Sequence, residues 1–78
     1  MMRFNVMDHT GHSTQDFTKD SAEVAAAMVK FAELTKPPSQ GGKGYAAARR
    51  DAPGHLTHIR KFDPNATEIV FTPPLKGG

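Results

Sequence analysis

Hydrophobic and polar positions alternate from the second residue onward. Met2, Phe4 and Val6 fall on one side, and Arg3, Asn5 and Met7 on the other. A period of two over so short a run predicts a half-buried strand. Asp8-His9-Thr10-Gly11-His12 is a cluster of turn formers, and the glycine in it accepts positive φ without a steric cost. Ser13 to Phe17 then returns as a second strand of a hairpin. It is polar apart from Phe17, which suits an edge or mostly exposed strand.

The period changes after Asp20. Val24, Ala27, Met28, Phe31 and Leu34 recur at helical spacing and form one apolar stripe. Asp20 or Ser21 stands where a helix cap is needed, with Glu23 three residues after Asp20 in the capping-box position. Alanines fill the body, and Lys30 and Lys36 lie toward the end where the helix dipole favours cations. Pro37-Pro38 forbids continuation, so the pattern predicts a helix over 21–35. Ser39-Gln40-Gly41-Gly42-Lys43-Gly44 reads as a flexible loop, its glycines fitting mobility or a close approach of backbone. A phosphate-binding loop would need a helix directly after it, whereas a strand is predicted here.

Tyr45 to Arg50 reads as a short strand with small side chains, followed by the turn Asp51-Ala52-Pro53-Gly54. Leu56 to Phe62 alternates imperfectly, and Asp63-Pro64-Asn65 breaks it. Glu68-Ile69-Val70-Phe71-Thr72 is strongly β-prone and ends at Pro73-Pro74. The order is a hairpin, a helix and then two or three strands. The expected fold is α+β: a mixed sheet with one amphipathic helix packed on one face, Phe4, Val6, Ile69 and Phe71 facing the stripe from Val24 to Leu34.

Composition narrows the function classes. A chain of 78 residues, 37% of them hydrophobic, has room for one core and few residues to spare for cleft walls. That points away from an enzyme and toward a module, carrier or subunit. There is no cysteine, which excludes a disulfide framework, a thiolate zinc site and a cysteine nucleophile. No apolar run approaches the length of a membrane span, and the first residues lack the apolar stretch of a secretory signal. A cytoplasmic monomer with no cofactor is the expectation. The charge of +2 is unevenly spread, the first 42 residues carrying −1 and the remainder +3.

Three clusters carry candidate chemistry. Arg49, Arg50, Arg60 and Lys61, near Tyr45 and Phe62, form a basic patch if they share a sheet face. Single-stranded nucleic acid is bound by that combination of charge and stacking; a solvated sheet whose long side chains shield apolar surface is the plainer reading. His9 with His12 and His55 with His58 are His-x-x-His pairs. Strand residues three apart point to opposite faces, so the second pair chelates only from within a turn, and solvent-exposed turn histidines are expected in place of a metal site. Ser13 stands near His9, His12 and Asp16 without the order or elbow of a nucleophilic hydrolase.

The last residues add a resemblance. Ile69-Val70-Phe71 leads into Thr72-Pro73-Pro74-Leu75-Lys76-Gly77-Gly78. With the predicted element order, this resembles ubiquitin and its prokaryotic relatives, including the small sulfur carriers of thiamine and molybdopterin synthesis. The resemblance implies a β-grasp-like domain over 1–74, its last strand parallel to the first, and a flexible diglycine tail over 75–78. It also implies a modifier or carrier with no catalytic centre of its own. Gly78 would be activated at its carboxylate by an adenylating enzyme, Gly77 would be its required small neighbour, and Leu75 and Lys76 would contact that enzyme. The alternative is a small non-catalytic adaptor, docking protein or nucleic acid and encoded by a phage or mobile element.

Overall fold

The first strand, β1 (Met2–Asp8), pairs antiparallel with β2 (Gly11–Phe17), Met2 opposite Phe17 and Asp8 opposite Gly11. The alternation read from the sequence places Met2 and Phe4 inward, both buried, with Arg3 and Met7 exposed. On β2 only Phe17 is buried. The structure, a computed structural model, describes residues 1–8 and 11–74. The expected tail 75–78 therefore lies outside the described residues, as does His9.

The helix α1 (Ser21–Thr35) has the predicted bounds but a narrower buried face. Ala27, Phe31 and Leu34 are buried, Val24 is half-buried, and Met28 is 52% exposed. Met28 sits one residue beyond Ala27, about 100° further round the helix, and so leaves the stripe. The expected capping box is not formed: Asp20 holds the N-cap position without a side-chain hydrogen bond. Its carbonyl accepts from the Val24 N–H at 2.8 Å, while Glu23 in the first turn suits the helix dipole. The last turn contains no cation. Lys36 is instead the C-cap, at ψ 139°, in the extended region that a residue before proline prefers.

The glycine-rich loop after the helix proves to be a tightly bonded cap. The N–H groups of Lys43, Gly44 and Tyr45 donate to the carbonyls of Glu33, Lys36 and Leu34 at 3.1, 2.8 and 2.7 Å. A short 3₁₀ turn, Pro38–Gln40, starts the reversal and closes on Gly41 in the left-handed region at φ 86°. Carbonyls that a helix end leaves unpaired are thus satisfied by the returning chain. Gly42 makes this possible, because a Cβ there would overlap the carbonyl oxygen of Lys36. Of the two readings of these glycines, close backbone approach is the one realised.

The chain then forms β3 (Ala46–Ala52), β4 (His55–Ile59) and β5 (Glu68–Thr72). The five strands make one mixed sheet in the order β2-β1-β5-β3-β4. Central β5 runs parallel to β1, with Phe4 opposite Ile69, and antiparallel to β3, with Ala47 opposite Phe71. β4 ends at Ile59, earlier than the alternation to Phe62 suggested. Phe62 belongs to the crossover from β4 to β5, where its ring meets Phe31 edge-on at 5.8 Å. Ala66 of the same crossover is buried in the core. Among the described residues no helix is long and apolar enough to cross a membrane.

All five phenylalanines lie in one core. Ring centroids are 4.9 Å apart for Phe17–Phe4 and Phe4–Phe71, 5.7 Å for Phe71–Phe31 and 5.8 Å for Phe31–Phe62. The series links β2, β1, β5, α1 and the crossover. Phe4 and Phe71, at its middle, are wholly excluded from solvent. Truncating Phe71 to alanine should cost about 3–5 kcal/mol, comparable with a total stability on the order of 5 kcal/mol for so small a domain. Urea titration should therefore find Phe71→Ala largely unfolded and Phe71→Leu folded, weakened by about 1–2 kcal/mol. Gly42→Ala should cost about 1–3 kcal/mol in the same measurement, whereas Ser39→Ala, in the exposed turn beside it, should stay within about 0.5 kcal/mol of the parent.

Candidate functional site

The helix covers one face of the sheet and leaves the other open. Pairing register arranges the open face in rows. One row reads Asp16, Arg3, Glu68, Arg50 and Leu56 from β2 to β4, and the next reads Thr14, Asn5, Val70, Ala48 and His58. The first four residues of the first row alternate in charge. Arg3 Nε donates to Asp16 Oδ1 at 2.9 Å, and Arg50 Nε stands 3.2 Å from Glu68 Oε1, outside hydrogen-bond alignment. The Asn5 amide bridges the rows, donating to Glu68 and accepting from the Thr14 hydroxyl. The hydrogen bond from Arg3 holds the Asp16 carboxyl below the usual carboxylate range, and Asp16 in turn raises Arg3. Val70 and Ala48 are buried on this face at 6% and 7% exposure, whereas Leu56 and Met7 are exposed.

The four basic residues expected to share a patch do not form one. Arg49 pairs with Ile69 and Arg50 with Leu56 in register, and consecutive strand residues point to opposite faces. Arg49 lies on the helix side of the sheet. Its Nη1 donates to Asp63 Oδ2 at 2.8 Å and its Nε to Asp51 Oδ1 at 2.6 Å. Asp51 occupies the irregularity where β3 slips register against β4 between Arg50 and Ala52. Such a bulge re-aims a side chain, and here the carboxylate also accepts from the Thr57 hydroxyl and stands 3.3 Å from His55 Nδ1. Arg49 thereby ties the β3–β4 hairpin to the crossover, where Asp63 also accepts from the Asn65 N–H at 2.9 Å. Arg60 and Lys61 follow β4, exposed, and among the described residues neither has a carboxylate partner.

The histidines are likewise apart. His58 lies on the open face beside Ala48, while His55 pairs with Ala52 beyond the bulge and turns to Asp51. His12 is exposed on β2. Among the described residues no three potential metal ligands gather. The tail residues Leu75, Lys76, Gly77 and Gly78 lie outside the described residues. The last described residues are Thr72, which pairs with Ala46, and Pro73 and Pro74, the latter near Gly44 of the helix-capping loop. Two features escaped the pattern of the sequence, the Arg49 clamp and a groove of about 390 Å³ lined by Thr35, Tyr45, Ala46, Ala47, His58, Ile59 and Arg60. Asp51 and Asp63, 2 and 14 residues after Arg49, were the available signal for the clamp. Comparison with models of protein families, with curated proteins and with solved structures finds no match.

The clamp sets a pH dependence. The Thr57 hydroxyl and then Arg49 hold the Asp51 carboxyl down, and Arg49 followed by the Asn65 N–H holds Asp63 down. Carboxylates depressed in the folded state contribute stability that is complete above their unfolded value, about 3.9, and is lost as pH falls through the folded values. Melting temperature should therefore drop steeply below about pH 4. Arg49→Met should lower it at neutral pH and flatten that drop, measured by thermal unfolding across a pH series.

Proposed function

We propose that the chain is a ubiquitin-like modifier or carrier of β-grasp type that acts through the carboxylate of Gly78. The observation that supports this most is the position of β5. It is a central strand, parallel to β1 and hydrogen-bonded on both sides, and the helix lies across its buried residues Ile69 and Phe71. A strand so held is a firm base for a peptide that must be presented away from the body. Pro73 and Pro74 follow it directly. Proline has no N–H for a sheet ladder, so the pairing that holds β5 is not extended by them.

The chemistry follows from the residue type. An ATP-dependent activating enzyme would join the Gly78 carboxylate to AMP, releasing pyrophosphate. A thiolate or sulfide would then displace AMP to leave a thioester or thiocarboxylate. Glycine at 77 and 78 has no Cβ to obstruct the approach to that carbonyl or passage through a narrow channel. Leu75 and Lys76 are the contacts assigned to the activating enzyme. The domain itself supplies presentation and recognition, and the partner supplies catalysis.

Mass spectrometry of the protein from its own cells tests this reading. The peptide that contains Gly78 should carry an isopeptide, thiocarboxylate or adenylate at that carboxyl, and Gly78→Val should abolish it while leaving the melting temperature within about 1 °C of the parent. A mature chain that continues beyond Gly78, or an end that is always unmodified, would overturn it.

A further inference from the structure

Two strands end the sheet, and their exposed edges differ. β2 is polar apart from Phe17 and contains Asp16 but no lysine or arginine. β4, at the other edge, reads His55-Leu56-Thr57-His58-Ile59 and runs into Arg60-Lys61. No aspartate or glutamate occurs from Ala52 to Phe62. The basic residues within the strands are paired: Arg3 with Asp16, Arg49 with Asp51 and Asp63, and Arg50 with Glu68. Arg60 and Lys61 stand exposed with no carboxylate within 4.0 Å among the described residues. The uncompensated positive charge of the sheet is thus gathered at one end of one edge.

That end also has a receptacle. The groove between the last turn of α1 and the starts and ends of β3 and β4 has Tyr45 and Ile59 as its apolar walls and His58 and Arg60 at its rim. It lies at the end of the sheet where Ala46 meets Thr72, the end from which β5 departs. Leu56, 48% exposed, stands on the open face of β4, opposite to Ile59.

We propose that the outer edge of β4 takes an extended acidic segment of a protein partner as a sixth strand. An unpaired strand edge offers a row of backbone donors and acceptors, and a peptide that pairs with it gains affinity from the main chain and selectivity from alternate side chains. One apolar side chain of the segment seats between Tyr45 and Ile59, and its carboxylates face Arg60 and Lys61. Charge alone at an edge serves to keep other strands away. Here the charge adjoins an apolar groove, an arrangement that admits an oppositely charged strand and repels a basic one. Nucleic acid is disfavoured because the four basic residues are divided between two faces and two of them are already paired. The inference stands independently of any chemistry at Gly78.

The test uses isotope-labelled protein and three probes: a blocked peptide of alternating glutamate and valine, its lysine–valine counterpart, and single-stranded oligothymidine of matched charge. The acidic peptide should shift the backbone resonances of His55 to Lys61 and Tyr45 and slow hydrogen exchange along β4. Binding should weaken as salt rises from about 0.05 to about 0.3 M. The double substitution Arg60→Glu, Lys61→Glu should weaken it about tenfold, with the melting temperature retained because neither side chain is in an ion pair among the described residues. Absence of binding at millimolar peptide, unchanged affinity in the double variant, shifts confined to β2, or equal binding of the lysine–valine peptide would each overturn the proposal. Tighter binding of oligothymidine than of the acidic peptide at the same residues would overturn it in favour of nucleic acid.

Discussion

The fold depends on contact between Phe4 and Phe71. These rings belong to the two parallel strands at the middle of the sheet, and both are fully buried. Parallel neighbours cannot be joined by a short turn, so almost the whole chain separates β1 from β5. Their pairing therefore closes a loop that contains the hairpin return, the helix and the second hairpin. The entropic cost of that closure must be met by burial where the two strands meet. Phe17 and Phe31 extend the ring contacts to β2 and α1, and Phe62 extends them to the crossover. Without the central pair, β1 and β2 are a separate two-stranded unit, a size marginal in water, and β5 loses its parallel neighbour and keeps only β3.

Arg49 performs the polar counterpart of this closure. The crossover between β4 and β5 has no regular pairing of its own. It is held by Phe62 and Ala66 on the apolar side and by Asp63 on the polar side. One guanidinium joined to two carboxylates keeps its donors matched, and the bulge at Asp51 supplies the second carboxylate from within the hairpin. Each of these pairs is partly solvated and modest in strength. Their placement matters more than their strength, because they fix the crossover that starts β5 in register with β1.

The regular elements were legible from period alone: the alternation of Met2, Phe4 and Val6, the bounds 21–35 of the helix, and the β-prone run from Glu68 to Thr72. The failures have local causes. Met28 matches a helical repeat but lies past the flank of a stripe only three residues deep. Asp20 has the right residue type for a cap, yet cap formation depends on a side-chain rotamer that residue type does not specify. Gly41, Gly42 and Gly44 look the same whether a loop is loose or folded tightly over a helix end. Only the Lys36 carbonyl lying against Gly42 distinguishes them. Arg49 and Arg50 were grouped by charge, although adjacency on a strand separates them. The groove beside Tyr45 joins residues from α1, β3 and β4 and so had no contiguous signature.

Because β5 combines two duties on the proposed reading, the position of a substitution decides what it can reveal. Ile69 and Phe71 face the helix, and Val70 is buried on the opposite face, so a change at any of the three perturbs packing along with presentation of the tail. The last paired position of β5 is Thr72, whereas the proposed chemistry belongs to Gly78, six residues later in the sequence. The β4 edge offers the same separation. Its side pairs to β3 alone, and Arg60 and Lys61 lie outside both the phenylalanine series and the Arg49 clamp. A change to those two side chains can therefore test the proposed docking while the parallel pair of β1 and β5 stays intact. This division follows from the order of the strands: β1 and β5 bring Phe4 and Phe71 together inside the sheet, while β4 stands at an edge.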